Sequence, residues 1–236
     1  MSGNKKTVII GFPSTGLVGA FAVSYLVKAL DMQNIGELES QDIPPSVFIQ
    51  DGKVYGPFQI YNKDNVYVIL SNVLLSPKST HDFIQSGLEY AKKVNADHVI
   101  IPRGMTIMGP QEDKPKTFGL TVTDESKNLL DEFKLPIISE ASVVGADAGA
   151  ISALKKSSIP SVILYTICNM KFPDSDAIVK AVETMANIIG VKVDTSKFEQ
   201  RLDKISKDNE RLIEQTRKMY EKPSEKPPSM PSPGIG

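Results

Sequence analysis

One cysteine and two histidines among 236 residues leave this chain nearly without the side chains that most often bind metals or act as nucleophiles. Cys168 has no partner for an internal disulfide, and it closes the apolar run of residues 162–167, so a buried thiol is expected there, not a nucleophile. His81 and His98 have no cysteine or acidic residue at ligand spacing, so no metal site is expected. His81 precedes Asp82 near a helix start and reads as a surface feature, with an acid-base role as the alternative. An excess of one charge is also missing: 27 Lys and Arg face 28 Asp and Glu, interspersed, for a net charge of −1. No field for nucleic acid or an anionic membrane results. No apolar run approaches the roughly 18 residues of a membrane span, and no charged-then-apolar leader opens the chain. The expectation is a cytoplasmic protein with neither a nucleic-acid nor a membrane partner.

What is present suits a single large α/β domain: 41% hydrophobic and 23% charged residues can bury a full core. Its most informative stretch is Thr7-Val8-Ile9-Ile10-Gly11-Phe12-Pro13-Ser14-Thr15-Gly16-Leu17-Val18-Gly19. A β-branched strand, a glycine- and proline-bearing turn and a helix over about residues 17–30 have the outline of a phosphate loop. The ligating residues are absent. Leu17 and Val18 stand where a Walker loop carries lysine and a hydroxyl, and Ser14 stands where a dinucleotide fingerprint has its first glycine. Gly16 and Gly19 therefore read as close helix-to-strand packing, and no cofactor is expected. The alternative is a small-ligand or phosphate site at Gly11, Ser14, Thr15 and Gly16.

Further along, residues 35–40 read as a strand. Residues 47–50 and 53–55 form a hairpin about Asp51-Gly52, and residues 58–61 and 66–70 a second one across 62–65. Antiparallel hairpins beside a strand-helix alternation imply a mixed sheet. A helix capped by Ser79 or Thr80 carries Phe83, Ile84, Leu88, Tyr90, Ala91 and Val94 on its apolar face. Residues 98–102 read as a strand, 103–116 as a mobile loop, 118–122 as a strand, 124–133 as a helix and 135–138 as a strand. Residues 148–156 then form a helix, 161–168 the last strong strand, and 174–189 a helix capped by Asp174 or Ser175. Together they predict a three-layer α/β core domain over residues 1–194.

Residues 195–221 are charged, helix-forming and apolar at steps of four and three: Phe198, Leu202, Ile205, Asn209, Leu212, Thr216, Met219. That heptad-like spacing predicts a C-terminal helix whose apolar edge, with Tyr220, meets another copy or a partner. The alternative is a helix packed back on its own domain. Residues 222–236 include five prolines and little to bury, so a disordered tail is expected.

Three segments should follow strands and have ligand-facing composition: residues 11–19, 103–109 and 140–149. In open α/β sheets the pocket forms at the carboxyl ends of strands. An enzyme reading would make Arg103 an anion clamp and Glu140 or Asp147 the acid or base of a nucleoside- or small-acid-processing hydrolase or transferase. Asp147 is equally placed to cap a helix, Arg103 to form a loop ion pair, and no nucleophile-base pair is visible.

Taken together, the opening Gly-Phe-Pro-Ser-Thr-Gly-Leu-Val-Gly, the hairpin region with Pro44-Pro45, the Gly-Ala-Asp-Ala-Gly segment at 145–149 and the charged C-terminal helix resemble the archaeal branch of the proteasome assembly chaperone 2 family. The likeness spans roughly residues 7–220. It implies a fold like that of nucleoside phosphorylases and related hydrolases, used as a homo-oligomeric scaffold without chemistry that binds proteasome α subunits or a related chaperone. Such proteins often dock through a C-terminal tripeptide of hydrophobic residue, tyrosine and any residue. Gly234-Ile235-Gly236 departs from that pattern, and Met219-Tyr220-Glu221 lies inside the chain without a free carboxylate.

Overall fold

The computed structural model describes residues 5–39, 46–50, 52–107, 115–169, 173–198, 202 and 214. Four strands form the parallel centre of a seven-stranded sheet: β1 (Thr7–Gly11), β6 (Val66–Ser71), β7 (His98–Met105) and β9 (Ser161–Ile167). β2 (Gln33–Glu37) and β5 (Phe58–Lys63) extend it antiparallel on one side, and β8 (Thr117–Thr121) pairs antiparallel with β9 on the other, giving the order β2-β5-β6-β1-β7-β9-β8. The sheet is mixed, as the hairpins require. β3 (Phe48–Gln50) and β4 (Lys53–Tyr55) make a separate two-stranded sheet.

The central strands read as unbroken apolar runs because both of their faces are covered. Along β1, Ile9 enters one core while Val8 and Ile10 enter the other, the two-residue alternation of a strand. Helices α1 (Val18–Ala29), α3 (Lys127–Phe133) and α5 (Ser175–Ile189) pack on the Ile9 face, and α2 (Pro77–Lys93) and α4 (Gly145–Leu154) on the other. The result is the expected three-layer α/β architecture.

Local chemistry sets the boundaries. Asp174 caps α5 by accepting from the Ala177 N–H at 3.2 Å, and Gly190, at φ +71°, ends it. The cap of α2 is Ser76, whose Oγ accepts from the Ser79 N–H at 3.1 Å with Pro77 at the first helical position; Ser79 and Thr80 are inside the helix. In the second hairpin the strands run to Lys63 and from Val66, so the turn shrinks to Asp64 and Asn65, with Asp64 at φ +50°. Residues 103–105, read from sequence as loop, continue β7 and pair with β9. Residues 135–138 form only a single bridge, Ile137 to Gly119.

Phe198 and Leu202 are helical and buried in the same core as α1 and α5. The Phe198 ring stands 5.0 Å from that of Tyr25, whose hydroxyl donates to the Asp194 carbonyl at 2.7 Å. At these two positions the C-terminal segment faces its own domain, which corrects their assignment to a partner contact. Ile205, Asn209, Leu212, Met219, Tyr220 and residues 222–236 lie outside the described residues.

Candidate functional site

The three segments singled out in the sequence do converge. β1, β7 and β9 are neighbours in the sheet, so the residues leaving their carboxyl ends meet one another and the first turn of α4. At their centre is Arg103, only 3% exposed. A buried cation must be fully compensated. Its Nη1 donates to the carbonyls of Phe12 at 3.2 Å and Pro13 at 2.9 Å, its Nε donates to Asp147 Oδ1 at 2.5 Å, and its guanidinium carbon lies 3.9 Å from the centre of the Phe12 ring. Arg103 is thus tied to protein groups on two other segments, and it holds them to its own strand in place of clamping an external anion. Asp147 sits in the first turn of α4, where the helix dipole favours a carboxylate; the N-cap is Val144.

The turn after β1 is equally engaged. Ser14 Oγ accepts from the N–H of Gly19 at 2.9 Å and of Gly104 at 3.1 Å, so a side chain of the protein occupies the place where the start of α1 would meet an anion. A Cβ on Gly19 would come 2.5 Å from the Phe12 carbonyl oxygen and 2.6 Å from that of Pro102, and one on Gly104 would collide with the Thr15 carbonyl oxygen. These glycines let loop and strand touch. Gly16 adopts φ +63°, and its carbonyl accepts from the Asp174 N–H at 3.0 Å; Gly11 faces Val23, where a Cβ would stand 2.7 Å from its side chain. The alternative ligand positions Gly11, Ser14 and Gly16 thus serve internal contacts, while Thr15 also borders the cleft beside them.

That cleft, of about 650 Å³, opens at the ends of β7 and β9. Its wall includes Thr15, Met105, Ile138, Glu140, Asp147 and Tyr165. Glu140 is exposed and joins Asp147 at the cleft without contacting Arg103. Tyr165, missed in the sequence, is 5% exposed with a hydroxyl that has no hydrogen-bond partner among the described residues. Burial foremost, and the Asp147 charge after it, push its phenol pKa well up, against a smaller opposing effect of Arg103. The available signal was a single aromatic with a polar tip inside the aliphatic run of β9.

Of the remaining candidates, Cys168 packs against Gly16 and Gly104 beneath the same turn, and the two histidines lie elsewhere. Burial, and then the charge of Asp174, push the Cys168 thiol up to about 12, so it is no nucleophile at neutral pH. His81 Nδ1 is 3.3 Å from its neighbour Asp82 on the half-exposed start of α2. His98 is buried at the opposite end of the sheet, 3.1 Å from Thr7 Oγ1. No group of side chains able to hold a metal ion occurs among the described residues.

The structure is similar to PbaA of Pyrococcus furiosus, described as an archaeal homolog of proteasome-assembly chaperone, at 27% identity over 92% of this chain and 96% of that one, with a TM-score of 0.77. It is similar to a Thermoplasma acidophilum protein of unknown function at 25% identity, 92% and 90% coverage and a TM-score of 0.76. PbaB of Pyrococcus furiosus, an archaeal proteasome activator, shares the fold at 18% identity, 91% and 93% coverage and a TM-score of 0.68. An uncharacterized protein of Methanocaldococcus jannaschii is 27% identical over 143 residues, 60% of this chain, which spans 57% of that relative's length. The PAC2 family profile matches residues 8–213, from β1 to beyond α5, and this chain belongs to the PAC2 family.

Proposed function

We propose that this chain is a non-catalytic, cytoplasmic assembly factor that self-associates and binds proteasome α subunits or a related chaperone. The observation that carries the reading is the likeness to PbaA along nearly the whole of both chains, within a family the chain belongs to. The site chemistry supports it: Arg103 and Ser14, the groups an enzyme would aim at a substrate, are bound to the protein itself. Exposed apolar side chains on the β3-β4 hairpin support it too. Val47, Ile49 and Val54 are 67%, 75% and 65% exposed, Ile49 pairs with Val54, and Val47 shares their face two residues away. Exposed apolar patches of this kind mark protein contacts.

The cleft keeps a second reading in view, a hydrolase or transferase of nucleosides or small carboxylic acids using Glu140 or Asp147. Two measurements on the native chain separate them. Co-purification with α subunits from cell extract supports the chaperone reading. A thermal shift with nucleosides, phosphate or small carboxylates, together with no α-subunit capture, supports the enzyme.

A further inference from the structure

Tyr165 and Arg103 are direct partners in the β7-β9 pairing, so their side chains leave the same face of the sheet at its carboxyl end. Their fates differ. Arg103 is closed in by two carbonyls and Asp147, while the Tyr165 hydroxyl lies buried at the cleft with nothing to bond to among the described residues. A buried phenol normally finds a partner, and one that does not needs a physical explanation.

The rest of the wall defines what would satisfy it. Among the described residues, the carboxylate-bearing side chains of the lining are Glu140 and Asp147, and the lining contains no lysine, arginine or histidine. With Asp147 neutralised by Arg103, an anion would meet the uncompensated Glu140 carboxylate and no available cation. A purely apolar molecule would leave the phenol oxygen unmet. Met105, Ile138 and Ile151 supply an aliphatic wall beside these groups, and the volume falls within the range of small-molecule sites.

We infer that the cleft is a binding site for an alkylammonium group, a primary amine on an aliphatic stem. The ammonium N–H donates to the Tyr165 phenol oxygen, Glu140 supplies the countercharge that Asp147, neutralised by Arg103, does not, and the stem lies along Met105, Ile138 and Ile151. The chemistry is shared by a free aliphatic amine and by a lysine side chain of a peptide. The assignment is independent of the chaperone reading, since α-subunit binding and amine binding can each fail without the other.

The test is calorimetric titration of the full chain with n-hexylamine, hexanol and hexanoate at neutral pH. Hexylamine is expected to bind at least about tenfold more tightly than either analogue, the effect of one charge-assisted hydrogen bond. Tyr165→Phe, which keeps the ring and removes only the unpartnered hydroxyl, and Glu140→Gln on the exposed rim should each weaken hexylamine about fivefold or more, with melting temperature retained. Equal binding of hexanoate, no binding of hexylamine, or affinity untouched by both substitutions would overturn the assignment. Nα-acetyl-lysine N-methylamide then identifies the source: binding comparable to hexylamine points to a peptide lysine, and binding of hexylamine alone points to a free amine.

Discussion

The Arg103 guanidinium and the Asp147 carboxylate, Nε to Oδ1 at 2.5 Å, join the end of β7 to the first turn of α4 across 44 positions of sequence. The arginine is 3% exposed and the aspartate 24%, so solvent screens the pair only weakly. Replacing Arg103 with Ala strands a half-buried carboxylate and removes the donor to the Phe12 and Pro13 carbonyls. The expected loss is about 3 kcal/mol, measured as a lower denaturation midpoint in urea. Arg103→Lys should recover little, because an ammonium cannot reproduce the planar fork. An unchanged midpoint for R103A would mean that the segments are held by something else.

Two glycines separate crowding from backbone strain. A Cβ on Gly104 runs into the Thr15 carbonyl oxygen, whereas Gly145, at φ +70°, has nothing within 4 Å. Gly104→Ala should therefore cost about 2–3 kcal/mol by overpacking, and Gly145→Ala about 1 kcal/mol by conformation alone. Thermal melts of the two variants should rank in that order, and the reverse ranking would contradict the tight loop-to-strand contact.

His98 makes stability depend on acid. Burial, and then the Lys5 charge, lower its pKa, against smaller opposing effects of Glu132 and Asp97, and Nδ1 has no hydrogen-bond partner among the described residues. The folded state thus prefers the neutral ring. Above the unfolded histidine pKa of about 6.5 both states are neutral and the preference is fully satisfied. As pH falls below it the unfolded chain takes up a proton the folded chain resists, and stability declines by at most about 1.4 kcal/mol per pH unit. Equilibrium unfolding between pH 7 and 5 should show this decline in the native chain and less of it in His98→Gln. Identical slopes would remove His98 as the cause.

Phe198 tests where the C-terminal segment belongs. It packs against Tyr25 inside the chain's own core. Phe198→Ala should cost about 3 kcal/mol by leaving a cavity, whatever the oligomeric state. A chain ended after Thr195 loses both Phe198 and Leu202 and should melt earlier for the same reason. If F198A keeps its melting temperature but changes molecular mass, the residue belongs to a subunit interface after all.

Elements governed by local pattern were legible in the sequence. The strand at residues 7–10, both hairpins, the apolar face of α2 and the Asp174 cap follow from alternation, turn residues and periodicity alone. What escaped depends on distant partners. Arg103 and Gly104 look like loop residues in their glycine- and charge-bearing context, yet β9 pairs with them and Ser14 accepts from Gly104. Residues 135–138 carry a strand's composition but meet β8 at one bridge only. The meeting of Arg103 with Asp147 was approached through a shared rim at strand ends, and an ion pair was one of the roles open to the arginine, while its partners were not legible: nothing nearby in sequence says that it would be consumed by Phe12, Pro13 and Asp147. Tyr165 stood out only as a polar-tipped aromatic in an aliphatic strand, because the missing partner of a hydroxyl is a property of the folded surroundings.

The central claim is that this fold works by binding protein. Mixing the full chain with separately produced proteasome α subunits and measuring mass by size-exclusion chromatography with light scattering tests it most directly. The account predicts a co-eluting complex heavier than either component. Elution of both at their separate masses across the micromolar range would contradict it.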